Sequence, residues 1–224
     1  LGPASLKHTV HLMGRLLITE DGAPTAFDVR ARAPLRLGLA GGGTDLTPYC
    51  DDFGGAVLNA TIDRFAFAHL SSAPAGEVVF RAADLGQEER FALNAEIDPT
   101  QGLVLHKAVY LHMVKHHLNG RRPAVTVSTT IDAPPGSGLG SSSALVVALI
   151  EVFREALDLP LGPYEVARLA FEIGVEIMHC IAGGLGRRAC RRQGVGRAGD
   201  DPIFAVGEGG VTGLRRLVCG IVEK

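Results

Sequence analysis

Leu35, Leu37 and Leu39 alternate with Arg36 and Gly38 in "RAPLRLGLAGGG", the period of two that marks a strand. The alternation predicts all three leucines on the core side and Arg36 on the other face, next to a glycine turn. Strand-like runs follow at "AVLNATID", "FAFAHLS" and "EVVFRA", the last set off by the turn residues Pro74, Ala75 and Gly76. The period then changes. In "GLVLHKAVYLHMVKHHLNG", Leu105, Val109, Met113 and Leu118 recur at helical spacing, and Asn119-Gly120 supplies the stop. "PAVTVSTTID" returns to alternation at Val125, Val127, Thr129 and Ile131. A second helix is predicted where Leu145, Ala148, Leu149, Val152, Phe153 and Ala156 form one apolar face. Past Pro160 and Pro163 a third follows, "YEVARLAFEIGVEIM". Strands and helices are mixed, without repeat or heptad, which predicts an α+β fold, or α/β with some antiparallel strands.

One junction in this pattern carries chemistry. The strand ending at Ile131 runs into "DAPPGSGLGSSSA" and straight on into the second helix. A strand, a glycine-rich loop and a helix N-terminus make an anion site, because the first helical amides are unpaired and the helix dipole is positive there. The candidate cradle is Pro135, Gly136, Ser137, Gly138, Leu139, Gly140, Ser141, Ser142 and Ser143. No lysine follows Gly140, so this is not a Walker loop. The plain alternative is a serine-capped helix after a flexible turn. Upstream, Gly38, Gly41 and Gly43 have the wrong spacing for a dinucleotide fingerprint.

Composition narrows the partners. The 224 residues are 46% hydrophobic and 21% charged, enough to bury a core, and the net charge of −2 offers no general basic field. Nucleic acid and anionic membranes are therefore not expected partners. The 4 cysteines, Cys50, Cys180, Cys190 and Cys219, are scattered without a C-x-x-C pair, which argues against a zinc site or disulfide framework and suits a reducing cytoplasm. No secretory leader is read, and the run "ALVVALI" is far short of the ~20 residues a membrane span needs.

The string P-x-x-x-G-L-G-S-S-S-A from Pro134 to Ala144 resembles the second motif of the GHMP kinases, the superfamily of galactokinase, homoserine kinase and mevalonate kinase. "APLRLGLAGGGTDLTPYCDDFGGAVLNATI" is similar to their first motif. With "LHKAVY", the pattern resembles the sugar-kinase branch typified by heptose 7-phosphate kinases. The resemblance runs from about Val29 to about Glu172. It implies a ribosomal-protein-S5-like N-terminal domain that binds ATP and Mg²⁺ and phosphorylates a hydroxyl, the anomeric one, of a heptose 7-phosphate or related sugar. In those terms the loop wraps the phosphates, Ser142 holds Mg²⁺, and Arg36 lies near the transferred phosphoryl as the catalytic cation. Thr44 and Asp45 bind sugar hydroxyls. A fixed cation stabilises charge on a moving phosphoryl group, and a carboxylate accepts two bonds from a vicinal diol.

The match weakens after the third helix. Gly174 stands at the family's metal-binding glutamate position, flanked by Glu172 and Glu176, and Glu172 is the candidate second metal ligand. No catalytic base is identified; Asp200 and Asp201 are the aspartates available beyond. The expected organisation is an N-terminal extension at 1–28, the ATP-binding domain at 29–180, and a divergent Gly/Arg-rich tail at 181–224 replacing most of a ferredoxin-like second domain. Arg187, Arg188, Arg191, Arg192 and Arg197 lack interleaved aromatic residues, so a solvated tail is expected rather than a nucleic-acid arm. His112 and His116 stand four apart, with His106 and His117 nearby. They are read as a solvent-facing histidine-rich helix rather than a metal site. A catalytically incomplete remnant that binds nucleotide or sugar without turnover is the alternative function.

Overall fold

The computed structural model describes residues 27–44, 49–181 and 221–223. In chain order these form β1 (Asp28–Ala40), α1 (Tyr49–Phe53), β2 (Leu58–Ser72), β3 (Glu77–Ala82), β4 (Gln87–Ala92), α2 (Val104–His117), β5 (Val125–Ile131), α3 (Ser141–Ala156), α4 (Pro163–Ile181) and β6 (Ile221–Glu223). The sheet order is β4-β3-β5-β2-β1-β6. Every adjacent pair is antiparallel except β3 and β5, which run parallel. That parallel pair requires a crossover, and β4 with α2 provides it. The fold is α+β, as the mixed periodicity predicts.

Alternation explains which face the helices cover. Val29, Ala31, Ala33 and Leu35 of β1 and Ala66, Ala68 and Leu70 of β2 are buried, as are Val125 and Val127 of β5. Against this face lies α3, whose residues from Ala144 to Phe153 are buried on every side. The predicted apolar stripe of α3 is thus correct and too narrow, because α2 and α4 flank the helix while the sheet lies beneath it. Even Glu151 is buried there, with Arg154 donating to it at 2.7 Å. Burial pushes the Glu151 carboxyl up, against the pull of Arg154.

Several expectations need correction. Leu35 is in the core, whereas Leu37 and Leu39 are 43% and 59% exposed. Between Pro34 and Arg36 the ladder slips, with β2 passing from Phe65 to Thr61, and beyond this bulge the residues of β1 are half-buried or exposed. The two runs around Asp63 are one long strand, β2. Strand β4, "QEERFA", is not among the predicted strands, for it shows no apolar alternation; within it Glu88 pairs with Arg81 at 2.6 Å and Arg90 at 2.8 Å. Finally, residues 221–223, expected in a solvated tail, pair with Arg30, Ala31 and Arg32 of β1.

Helix α2 starts on a cap supplied from far away. No side chain of its own first turn caps it, and Glu89 of β4 accepts from the Leu103 amide at 2.5 Å. Glu89 also pairs with the buried ammonium of Lys107 at 2.8 Å. Burial alone would push the Glu89 carboxyl up, but Lys107 and the Leu103 amide outweigh it and hold it below its ordinary range. His106, expected to face solvent, is instead buried, its Nε2 2.8 Å from Thr129 Oγ1 on β5. Burial lowers its pKa to about 4, so it packs as a neutral ring.

Candidate functional site

The phosphate-type loop lies where the pattern placed it, between β5 and α3. Gly136, Gly138 and Gly140 all have positive φ, at 75°, 71° and 69°. Alternate left-handed residues turn successive amides toward one side and form an anion-binding concavity. Helix α3 then begins with Gly140 as its N-cap, without a side-chain cap bond and without an acidic residue in its first turn. Its leading amides therefore keep their donor capacity for a ligand. The exposed hydroxyls of Ser142 and Ser143 stand on the same turn.

The structure joins this loop to Arg36. The Arg36 amide donates to the Leu139 carbonyl at 3.0 Å. The Arg36 side chain lies across Gly140, where an added Cβ would come within 3.0 Å of Nε and 3.2 Å of Cγ. Glycine at 140 thus serves twice, allowing a left-handed N-cap and leaving room for the cation. Two motifs about a hundred residues apart meet at one point, with a guanidinium over a helix N-terminus. Among the described residues no carboxylate pairs with Arg36.

The remaining candidates divide. Thr44 Oγ1 donates to the Gly41 carbonyl at 2.7 Å and lies 3.1 Å from the Ala56 carbonyl, while accepting from the Ala56 amide at 3.2 Å. Its hydroxyl staples the turn after β1 onto the segment before β2. Gly41 makes this possible, since a Cβ there would fall 1.9 Å from the Ala56 oxygen. Asp45, Asp200 and Asp201 lie outside the described residues, as does the side chain of Glu176. Glu172 is exposed on α4, where Arg168 donates to it at 2.8 Å. Among the described residues no group of three or more His, Cys, Asp or Glu is placed to hold a metal ion. The rings of His112 and His116 lie 4.3 Å apart on α2, and among the described residues no group of three or more ligands forms around them. No described helix is long and apolar enough to cross a membrane.

Sequence reasoning missed Glu89 and Asn59. The first is the carboxylate that caps α2; the second is a polar side chain on the strand opposite Arg36's own, where Asn59 pairs with Gly38 and Thr61 with Arg36. Only the polar residues inside the otherwise apolar "VLNATI" hinted at it.

Residues 104–186 match the family described as GHMP kinases N terminal domain. The chain carries a GHMP kinase N-terminal domain. Over 156 residues, 69% of this chain and 45% of the relative, it is 40% identical to D-glycero-alpha-D-manno-heptose 7-phosphate kinase of Campylobacter jejuni. The crystal structure of a D-glycero-D-manno-heptose 1-phosphate kinase from Bacteriodes thetaiotaomicron superposes with a TM-score of 0.60 at 41% identity, covering 65% of this chain and 47% of that one. A sugar kinase structure from Campylobacter jejuni gives 0.58 at 41% identity, over 66% and 45%. The mevalonate kinase of Methanococcus jannaschii, 16% identical with a TM-score of 0.57, shares the fold of this GHMP domain. The chain spans about half the length of these relatives. The names of the two heptose kinases place the sugar's phosphate at different positions, 7 and 1.

Proposed function

We propose that this GHMP domain is the ATP-binding lobe of a sugar kinase that transfers the γ-phosphoryl group to a hydroxyl, the anomeric one, of a heptose 7-phosphate or a related sugar. The observation that carries the reading is the junction of Arg36 with Leu139 and Gly140, which sets a fixed cation beside a phosphate-type loop. The likeness to heptose phosphate kinases supports the sugar class.

In this reading the amides of Gly136 to Ser143 bind the ATP phosphates, and the dipole of α3 adds to their hold. Arg36 donates to the phosphoryl oxygens as charge spreads over them, which lowers the barrier without any reorganisation of the site. Thr44 holds the turn that precedes Asp45 in the chain, and Asp45 takes the role its motif implies, accepting from the sugar's hydroxyls. The Ser142 hydroxyl fits a Mg²⁺ ligand, being exposed on the first turn of α3; Glu172, engaged by Arg168, does not fit as it stands. Bound Mg²⁺ supplies charge neutralisation on the phosphates.

A second reading, binding without transfer, is favoured by one observation: Glu172, the candidate metal ligand on α4, is exposed and engaged by Arg168. ATP turnover by the purified chain with Mg²⁺ and a panel of heptose 7-phosphate, fucose and galactose separates the two, with nucleotide binding followed in the same samples. Turnover with one sugar supports the kinase and names its acceptor. Binding alone supports the second reading, and neither binding nor turnover overturns both.

A further inference from the structure

Resting on the sugar-kinase reading, we infer that Asn59, assisted by Thr61, is a specificity-determining contact for the acceptor polyol. Opposed residues of an antiparallel pair project from the same face, and so do residues two apart on one strand. Thr61 opposes Arg36, and Asn59 opposes Gly38. Independently of register, Asn59 Oδ1 stands 3.6 Å from the point a Cβ on Gly38 would occupy, so its amide overlies Gly38 on the face that Arg36 shares.

From the loop outward, this face therefore presents Gly140, then Arg36, then the Asn59 amide over a bare glycine. Arg36 bridges phosphate chemistry on one side and hydrogen-bonding chemistry on the other. The Thr44 hydroxyl, in the adjoining turn, is consumed by Gly41 and Ala56. Asn59 and Thr61, by contrast, make no side-chain hydrogen bond with another described residue. A carboxamide offers both donor and acceptor, which suits discrimination among hydroxyl configurations of a neutral polyol better than recognition of a polyanion. A hydroxyl beside it adds a rotatable partner. A site built to bond a hydroxyl rejects an epimer that cannot reach it, because its own polar groups then lose their partner.

The test compares the full chain with Asn59→Ala, Asn59→Asp and Thr61→Val. A fluorescent ATP analogue reports nucleotide binding, and calorimetry reports heptose 7-phosphate and epimeric sugars of the panel. Asn59→Ala is expected to weaken the preferred sugar about tenfold and to flatten the preference between epimers, with nucleotide affinity held within about twofold. Asn59→Asp preserves the shape of the side chain and is expected to re-order the epimers, and Thr61→Val to produce a smaller loss. If the wild type binds both ligands and Asn59→Ala and Asn59→Asp leave sugar affinity and epimer order untouched, the inference fails alone. If nucleotide and sugar affinity fall together in the variants, Asn59 belongs to the scaffold and the inference is again overturned. A wild-type chain that binds neither ligand overturns the kinase reading, and this inference with it.

Discussion

Helices α2 and α3 start in similar ways and end up with opposite electrostatics. Each follows a left-handed glycine, Gly102 at φ 61° and Gly140 at φ 69°, and neither has a side-chain cap of its own. At α2 the protein supplies the anion: Glu89 reaches in from β4 to the Leu103 amide and is balanced by buried Lys107. At α3 it supplies a cation, Arg36, lying over Gly140, and no acidic residue in the first turn. A helix N-terminus satisfied internally is a structural joint. One accompanied by positive charge is prepared for an anion from outside.

The contrast is open to attack from both sides. The largest expected effect is at α3, where Arg36→Ala should lower kcat/KM for phosphoryl transfer about 1000-fold while moving the melting temperature little. Steady-state kinetics and thermal denaturation on the same preparation check it. Turnover that survives would mean that the amides alone do the work. At α2 the order is reversed: Glu89→Ala strands the Lys107 ammonium and should cost about 3 kcal/mol of stability in urea titrations. Nucleotide affinity of the fraction still folded should hold. A variant as stable as the wild type would show that the cap is dispensable.

Acid should also find the α2 joint first. The His106 imidazole titrates near 6.5 when unfolded and at about 4 in the fold, because burial disfavours its charged form. Between those values the unfolded chain binds more protons. Stability is therefore intact above about pH 6.5 and erodes by about 3 kcal/mol as the pH falls through 4. His106→Gln should flatten that slope in pH-dependent unfolding; an unchanged slope would assign it to other groups. The smallest effect is at the loop itself. Ser142→Ala should weaken Mg·ATP binding about tenfold and leave sugar affinity unchanged, and equal losses of both would remove Ser142 from the metal.

The parts legible in the sequence are those in which a local rule coincides with a tertiary need. Val125, Val127 and Thr129 alternate because one face of β5 meets α3, and the glycines of 136–140 announce a loop that no side chain could form. Leu37 and Leu39 misled because alternation tells which face a side chain takes and not how far along the strand that face stays buried. Strand β4 was invisible because an ion ladder, Arg81 to Glu88 to Arg90, holds this sheet edge in place of apolar alternation. Thr44 looked like a ligand group because its motif resembles one, yet its hydroxyl is engaged within the fold, stapling Gly41 three residues back to Ala56 twelve residues on. Asp45, which completes that motif, lies outside the described residues.

The bond from the Arg36 amide to the Leu139 carbonyl also dates the site within the life of the molecule. Its two ends are about a hundred residues apart, so closing it costs the loop entropy of that long excursion, a cost that the intervening strands and α2 lower as they form. A nascent chain lacks the site until the strand that comes off first finds the loop that comes off much later. The exchange rate of one amide proton, that of Arg36, therefore reports whether the junction of β1 with the glycine loop exists at a given moment.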